Sequence, residues 1–388
     1  MASIPTALVL GAGIMGLSAA WGLARRGFAV RVVEQDQVPN PRGASVDHHR
    51  LIRHAYGAEA GYMRMVDDAY RAWDLMWHDI GEVLHVPTGV LAVSDTAEGW
   101  FEGSRATLAA DGRAYTDLRA GEVAARWPIF TEAGIGAALH MESGGVLLAK
   151  RIVAGLARHL GQARGVVIER GRAIGIDAAR AALRLEDGSE RSADLLVVAA
   201  GPWAPRLLPQ TLAPRVVASR QILVLLEPPS RLRDQWARAP MLLDLADRGG
   251  FYAVPPVAGT PLKIGDHRFS RQGDAEEDPR DATPAEAEEI LAFARPRLRD
   301  MAEYRVLGAR ACYYDVEDRE RFILEPLSAR CLVMSGFTGH GFKFASVLGL
   351  GLAAAAADAS LRPALAAWAA GQAPAAEGLL DALEQVPA

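Results

Sequence analysis

The chain has 388 residues, half of them hydrophobic and 23% charged, with Lys+Arg 42 against Asp+Glu 47 and a formal net charge of −5. That is an ordinary globular balance at a length beyond a single core, so two associated domains are expected, and the lack of any basic run or face excludes the usual nucleic-acid binder. Two cysteines, Cys312 and Cys331, exclude a disulfide framework and fit a reducing compartment or a cysteine kept for chemistry.

In chain order, 7–10 reads as a strand with no basic, cleavable leader before it, and a glycine turn follows. A helix is predicted over 15–26 and a strand over 29–34, which together make one β-α-β unit. The stretch 38–49 contains Pro39, Pro41 and Gly43 and reads as a loop. Met63, Val66, Tyr70, Trp73 and Trp77 recur at helical spacing up to a stop at Gly81. Residues 90–144 alternate short elements without a parallel rhythm. A helix over 150–161 precedes strands over 166–169, 174–176, 182–186 and 194–199, with Asp187-Gly-Ser as a hairpin turn. Antiparallel strands are predicted over 223–227, 250–254 and 262–267, a charged helix over 283–298, and strands over 310–314 and 331–335. The apolar stretch 347–357 spans about 11 residues against roughly 20 for a membrane span, so it is read as a buried, close-packed helix. A cytoplasmic monomer is the expectation, with no membrane or nucleic-acid partner and no metal site.

GAGIMG at 11–16 lies where a dinucleotide-binding turn belongs, after a strand and opening a helix. Gly11 allows the tight turn, Gly13 the close approach of backbone to a pyrophosphate, and Gly16 the packing of helix on strand. Glu34, at the end of the second strand, is placed to accept ribose hydroxyls. The motif does not separate FAD from NAD. AAGPW at 199–203 and GFTGHGFK at 336–343 each follow a strand late in the chain, as further loops closing on the same cofactor, and so favour FAD.

Five segments together, GAGIMG, RLIRHAYG at 50–57, LKIGDH at 262–267, ACYY at 311–314 and GFTGHGFKF at 336–344, resemble the monomeric sarcosine oxidase and N-methyltryptophan oxidase branch of the D-amino-acid-oxidase-type flavoproteins. The resemblance runs almost end to end, from Gly11 to about Lys343. It implies an α/β fold: a Rossmann-type FAD-binding domain (1–86, 146–220 and 308–370) with an inserted mixed α+β substrate domain on an antiparallel sheet (87–145 and 221–307). The implied chemistry is oxidation of the C–N bond of a small secondary amine or N-substituted amino acid to an imine, with oxygen reduced to hydrogen peroxide.

The resemblance also implies residue roles. FAD would be held by a thioether from Cys312; taken alone, this residue is equally a small buried hydrophobe, and alternation puts it on one strand face with Tyr314. Lys263 would face the flavin and promote reaction with oxygen, with His267 on the same face. Arg53 and Lys343 would hold the substrate carboxylate, Arg50 would lie against the ring, and Tyr252 and Tyr314 would wall the pocket. Lys263, Arg50, His267 and Tyr314 take the catalytic positions, and Arg53, Lys343 and Tyr252 those that bind substrate. Cofactor contacts are expected from Gly11, Gly13, Ile14, Met15, Gly16, Glu34, Ala173, Gly201, Trp203, Cys312, Gly336, Thr338, Gly339, His340, Gly341, Phe342 and Lys343. Backbone N–H groups of 336–341 would stabilise a reduced anionic ring. The run Val46-Asp47-His48-His49 and the carboxylates Asp266, Asp315 and Glu317 depart from that branch. They stand as extra charges near the pocket, suited to a second amine on the substrate or simply solvated. Two other readings stay open: an FAD dehydrogenase using another electron acceptor, and a flavin-binding protein without turnover.

Overall fold

In the computed structural model, which describes residues 4–246 and 250–384, the apolar run Thr6–Leu10 lies inside a six-stranded sheet. A parallel strand covered on both faces reads as a continuous apolar run. Leu195–Val198 and Ala29–Glu34 flank it in parallel. Val166–Arg170 and Cys331–Ser335 extend the sheet in parallel on either side, and Ile323–Ser328 closes one edge antiparallel. This is a mixed α/β fold with a Rossmann-type parallel sheet assembled from four separate stretches of sequence.

The helix after the first strand is Ile14–Arg25, one residue earlier at each end than predicted, because Gly13 already serves as N-cap. It packs on Ala345–Ala357, the apolar stretch, whose residues 345–355 are all buried. The contact needs small residues: a Cβ on Gly349 would stand 2.3 Å from the Ser18 carbonyl oxygen. The helix Ala60–Ile80 ends as predicted on Gly81, in left-handed conformation. No helix among the described residues is long and apolar enough to cross a membrane.

The second large sheet has eight strands, in the order Arg305–Glu317, Val216–Glu227, Leu262–Asp266, Phe251–Val254, Met241–Asp244, Val90–Ser94, Ala137–Met141 and Thr116–Leu118. All its pairs are antiparallel except Met241–Asp244 with Val90–Ser94. Two strands are much longer than predicted. The segment 310–314 is the middle of Arg305–Glu317, and 223–227 is the end of Val216–Glu227. Each continues through polar residues, such as Arg220 and Arg305, that signal no strand on their own. The Cys312 strand, grouped by sequence with the nucleotide portion, is hydrogen-bonded into this second sheet. The charged helix starts on the Thr283–Glu286 capping box and stops at Ala294 rather than 298, since Pro296 has no N–H to continue it.

Between the large sheet and the segment after that helix, Arg297 and Asp244 form an ion pair at 2.9 Å with both residues at 0% exposure. Arg297 also donates to the carbonyls of Thr131 and Ala133, each at 3.0 Å. Arg297→Ala takes this cation from the buried Asp244 carboxylate and leaves a cavity, and is expected to lower unfolding stability by about 3 kcal/mol in urea titration, the lower end for breaking a buried pair.

Candidate functional site

The first cavity opens above the carboxyl ends of the parallel strands, where the strand order reverses around Thr6–Leu10 and where open α/β sheets place ligands. Of the residues expected at the cofactor, Gly11, Gly13, Ile14, Met15, Glu34, Ala173, Gly201, Trp203, Gly339, Gly341 and Phe342 line it. Gly16 sits one layer behind, where a Cβ would fall 1.9 Å from the Gly11 carbonyl oxygen. Glu34 is buried and takes the Ala12 N–H at 2.8 Å and the Asn40 amide at 2.9 Å, which pins the glycine turn to the next loop. Ser45 accepts from Ile14 N at 3.0 Å, so a hydroxyl already stands at the helix N-terminus.

A second cavity of about 720 Å³ adjoins the first. Arg53, Tyr252, Lys263, His267, Thr338, His340 and Lys343 line it. Arg50, Tyr314, Gly339 and Phe342 line both cavities and mark their junction. Gly339, at φ 71°, has room for nothing larger, because a Cβ there would lie 2.4 Å from the Tyr314 ring. Tyr314 in turn shares a hydrogen bond with Tyr252. Trp73, on the helix Ala60–Ile80, donates to the Lys343 carbonyl at 2.7 Å and so holds the chain beneath the junction.

Four cations meet here, in two electrostatically unlike pairs. Lys263 donates to Asp47 at 2.5 Å and to the His49 carbonyl at 3.0 Å. Arg50 donates to the same two acceptors, each at 2.6 Å. Burial alone would raise the Asp47 carboxyl, but Lys263 and Arg50 outweigh it and hold it well below the usual carboxylate range. Burial draws the Lys263 ammonium down, and Asp47 resists it.

The second pair has no carboxylate hydrogen-bonded to it among the described residues, and Glu320 acts on Arg53 only through space. Lys343 donates to the Tyr56 hydroxyl at 2.7 Å and to the His340 carbonyl at 2.8 Å, both neutral acceptors. Arg53 stacks on Tyr56 and Trp100, and its Nε and one terminal nitrogen are buried with no hydrogen-bond partner among the described residues. Burial, and for Lys343 the neighbouring Arg53, push both groups down. An unpaired guanidinium beside an unpaired ammonium at a cavity wall is built to receive an anion.

Several expected features lie elsewhere. Asp315 and Glu317 do not charge the substrate pocket. Asp315 is buried, binds Ser335 and the N–H groups of Gly336 and Phe337, and is pushed by burial up to about 6. Glu317 takes the N–H groups of Arg319 and Arg321. The 336–341 loop therefore spends its first N–H groups inside the protein, with Thr338 N on the Asp315 carbonyl and His340 N on that of Phe337. Phe337, Gly339 and Gly341 are the residues of this loop that border the first cavity. Gly336 lines neither cavity. Thr338, His340 and Lys343, expected at the cofactor, line the second cavity. Cys312 is buried and lines neither cavity, on the strand face shared with Tyr314 and beside the charges of Arg50 and Asp47. Asp266 does line the second cavity, paired with Arg268 at 3.2 Å. Sequence reasoning missed Tyr56 and Trp100 as site residues, and it noted Asp47 as an extra charge near the pocket without its task, which is to bind Lys263 and Arg50 rather than a substrate amine or solvent. Asp47 sits in a loop without periodicity, and only its place three residues before Arg50 hints at a charge pair.

The chain matches the family model described as FAD dependent oxidoreductase over residues 6–355, and it belongs to that family. It is 27% identical over 350 residues to monomeric sarcosine oxidase of Bacillus sp. (strain B-0618), covering 88% of this chain and 89% of that one. It is 26% identical over 348 residues to N-methyl-L-tryptophan oxidase of Yersinia pestis (strain Pestoides F), covering 88% and 92%. Its fold is similar to that of L-proline dehydrogenase from P. horikoshii, with a TM-score of 0.79 at 17% identity over 96% of this chain and 98% of that one.

His49 gives the site a measurable pH signature. It is fully buried, bonded to Thr260 at 2.5 Å, and pushed by burial and by the Lys263 charge down to about 3. It stays neutral in the fold but charges in the unfolded chain below its ordinary pKa of about 6.5. Its stabilisation is complete above that pH and is lost as pH falls toward 3. His49→Gln is expected to flatten stability against pH between 6.5 and 4 by up to about 1.4 kcal/mol per pH unit, read from urea midpoints.

Proposed function

We propose that the chain is an FAD-dependent amine oxidase that converts the C–N bond of a small secondary amine or N-substituted amino acid to an imine. Oxygen is the proposed acceptor and leaves as hydrogen peroxide. The observation that carries this reading is the Arg53–Lys343 pair, buried with no hydrogen-bonded carboxylate among the described residues, at a cavity that meets the nucleotide cavity. The named activities of the two oxidase relatives support it.

The residues present fit FAD. A glycine turn and helix N-terminus suit a pyrophosphate, Glu34 keeps lone pairs for ribose hydroxyls, and Gly339 and Gly341 offer backbone at the junction. Bound FAD supplies the two-electron acceptor that takes a hydride equivalent from the substrate and passes two electrons, with two protons, to oxygen. Arg53 and Lys343 grip the substrate carboxylate and leave the amine end toward Tyr314, Tyr252 and His267. The same two cations favour loss of the amine proton, which frees the nitrogen lone pair. Lys263, at the cavity wall, stabilises negative charge building on oxygen. Cys312 is the proposed attachment point of the cofactor, by a thioether. The domain division is proposed to follow the two large sheets, and the cytoplasm is the proposed compartment.

The deciding experiment is anaerobic addition of N-methyl amino acids to the yellow protein, followed by admission of air. Bleaching by these compounds, and not by the matching amines without a carboxylate, is expected; the absence of bleaching by any secondary amine would sink the reading. Arg53→Ala should raise KM about 100-fold, or roughly 2.7 kcal/mol, with a smaller change in kcat. Lys263→Met should slow recovery of colour in air by about 100-fold or more and leave bleaching nearly unchanged. Acid-precipitated wild type should keep its yellow in the pellet, and Cys312→Ser should release it.

A further inference from the structure

The amine-oxidase reading leaves one buried charge without a task. Asp47 lies in the 38–49 loop, and its main chain is fixed: the Asp47 and His48 carbonyls accept from Lys150 N and Ala149 N, both at 3.1 Å, at the start of the helix Ala149–Gln162. Its side chain is 6% exposed. One oxygen, Oδ1, takes the His48 N–H at 2.6 Å, and the other takes Lys263 and Arg50 together. These cations come from different sheets. Lys263 stands on Leu262–Asp266 of the eight-stranded sheet, and Arg50 opens Arg50–Ile52 of a small three-stranded one. A single carboxylate oxygen thus ties the two sheets together beside the place where the two cavities meet.

We propose that Asp47 is a positioning residue, a built-in counter-ion that keeps Lys263 charged and fixed at the cavity wall and leaves Arg53 and Lys343 as the pair open to a substrate anion. The role given to Lys263 rests on the amine-oxidase reading. What Asp47 holds does not.

The physical argument is a comparison of neighbours. Lys263 is faced by Asp47, Arg50, His48, His49, Cys312 and Tyr252. Only Asp47 is an anion at neutral pH, since burial raises the Cys312 thiol and the Tyr252 phenol and keeps His49 neutral. Without Asp47, burial and the Arg50 charge both act to strip the ammonium of its proton. The lysine would then also lose the bond that fixes its direction, keeping only the His49 carbonyl. With Asp47 present, two of the three ammonium N–H groups are spent on the protein and one remains for the cavity. The same carboxylate makes the Lys263–Arg50 half a poor host for a second anion, so a substrate carboxylate has one cationic pair to choose.

Asp47→Asn keeps the shape and removes the charge. The protein is reduced photochemically, so no amine is needed, and recovery of colour in air is followed from pH 6 to 9. The variant is expected to recover at nearly the wild-type rate at pH 6 and about tenfold more slowly at pH 9, because its lysine loses its proton at lower pH. Wild type should hold its rate to higher pH. Lys263→Met should be slow throughout, and the double variant should match it. Identical pH profiles for Asp47→Asn and wild type would overturn the proposal. Melting temperatures of wild type, both single variants and the double variant give a second measurement, valid whether or not Asp47→Asn retains FAD. The loss in the double variant should be smaller than the sum of the single losses, and additive losses would overturn the counter-ion role. A wild type that air does not reoxidise, but whose melting temperatures still show the coupling, would remove the oxygen reading and leave Asp47 in place.

Discussion

Four cationic side chains, Arg50, Arg53, Lys263 and Lys343, stand in one buried site, and a buried charge must find an opposite charge or give up its proton. The protein meets this constraint in two ways. One pair is closed internally by Asp47, at 2.5 and 2.6 Å, and its geometry is set before any ligand arrives. The other is left with neutral acceptors and unpartnered nitrogens, so the stability that full pairing would give is withheld until an anion binds. A fixed half and a waiting half explain how cations so close together keep separate tasks.

The frame that holds them is built from distant sequence. The parallel sheet supplies the nucleotide cavity from strands near residues 6, 29, 166, 195 and 331, and its glycine turn is braced by Glu34. The eight-stranded sheet supplies the opposite wall. Its long strand Val216–Glu227 pairs on one side with the Cys312 strand and on the other with the Lys263 strand. The 336–344 segment then crosses between them, fastened by Asp315 from one side and by Trp73 from the other. The functional side chains project from strands such as Phe251–Val254, Leu262–Asp266 and Arg305–Glu317, and from short loops, into the two adjoining cavities.

Much of this was legible in the sequence, for reasons that differ by element. The glycine turn, the amphipathic helix ending at Gly81 and the apolar helix after 344 follow from local rules of packing and capping, and the structure departs from them by a few residues at most. Arg53, Lys263 and Lys343 were reachable through motif resemblance. The long strands were not, because they continue through polar residues, among them the buried Ser219 and Gln221 and the exposed Arg305, and only pairing makes them strand. Asp315 was misplaced because a carboxylate next to the pocket-wall residue Tyr314 can turn to backbone N–H groups, and sequence alone does not say which. Asp47 was legible as a charge near the pocket but not as the partner of Lys263, which lies 216 positions away. A tertiary ion pair leaves no spacing to read.

The register of the eight-stranded sheet sets what this protein can change. Gln221 stands opposite Cys312 and Leu225 opposite Lys263, so one strand indexes both positions. A single inserted residue within Val216–Glu227 would turn every following side chain to the other face and separate the two. Substitutions at Asp266, the last residue of its strand, or at Trp100, at the start of the helix Gly99–Ala110, move nothing in that index. New substrate preferences are thus open to point changes around the rim, whereas the spacing between the cofactor's proposed anchor and the lysine is inherited as a unit.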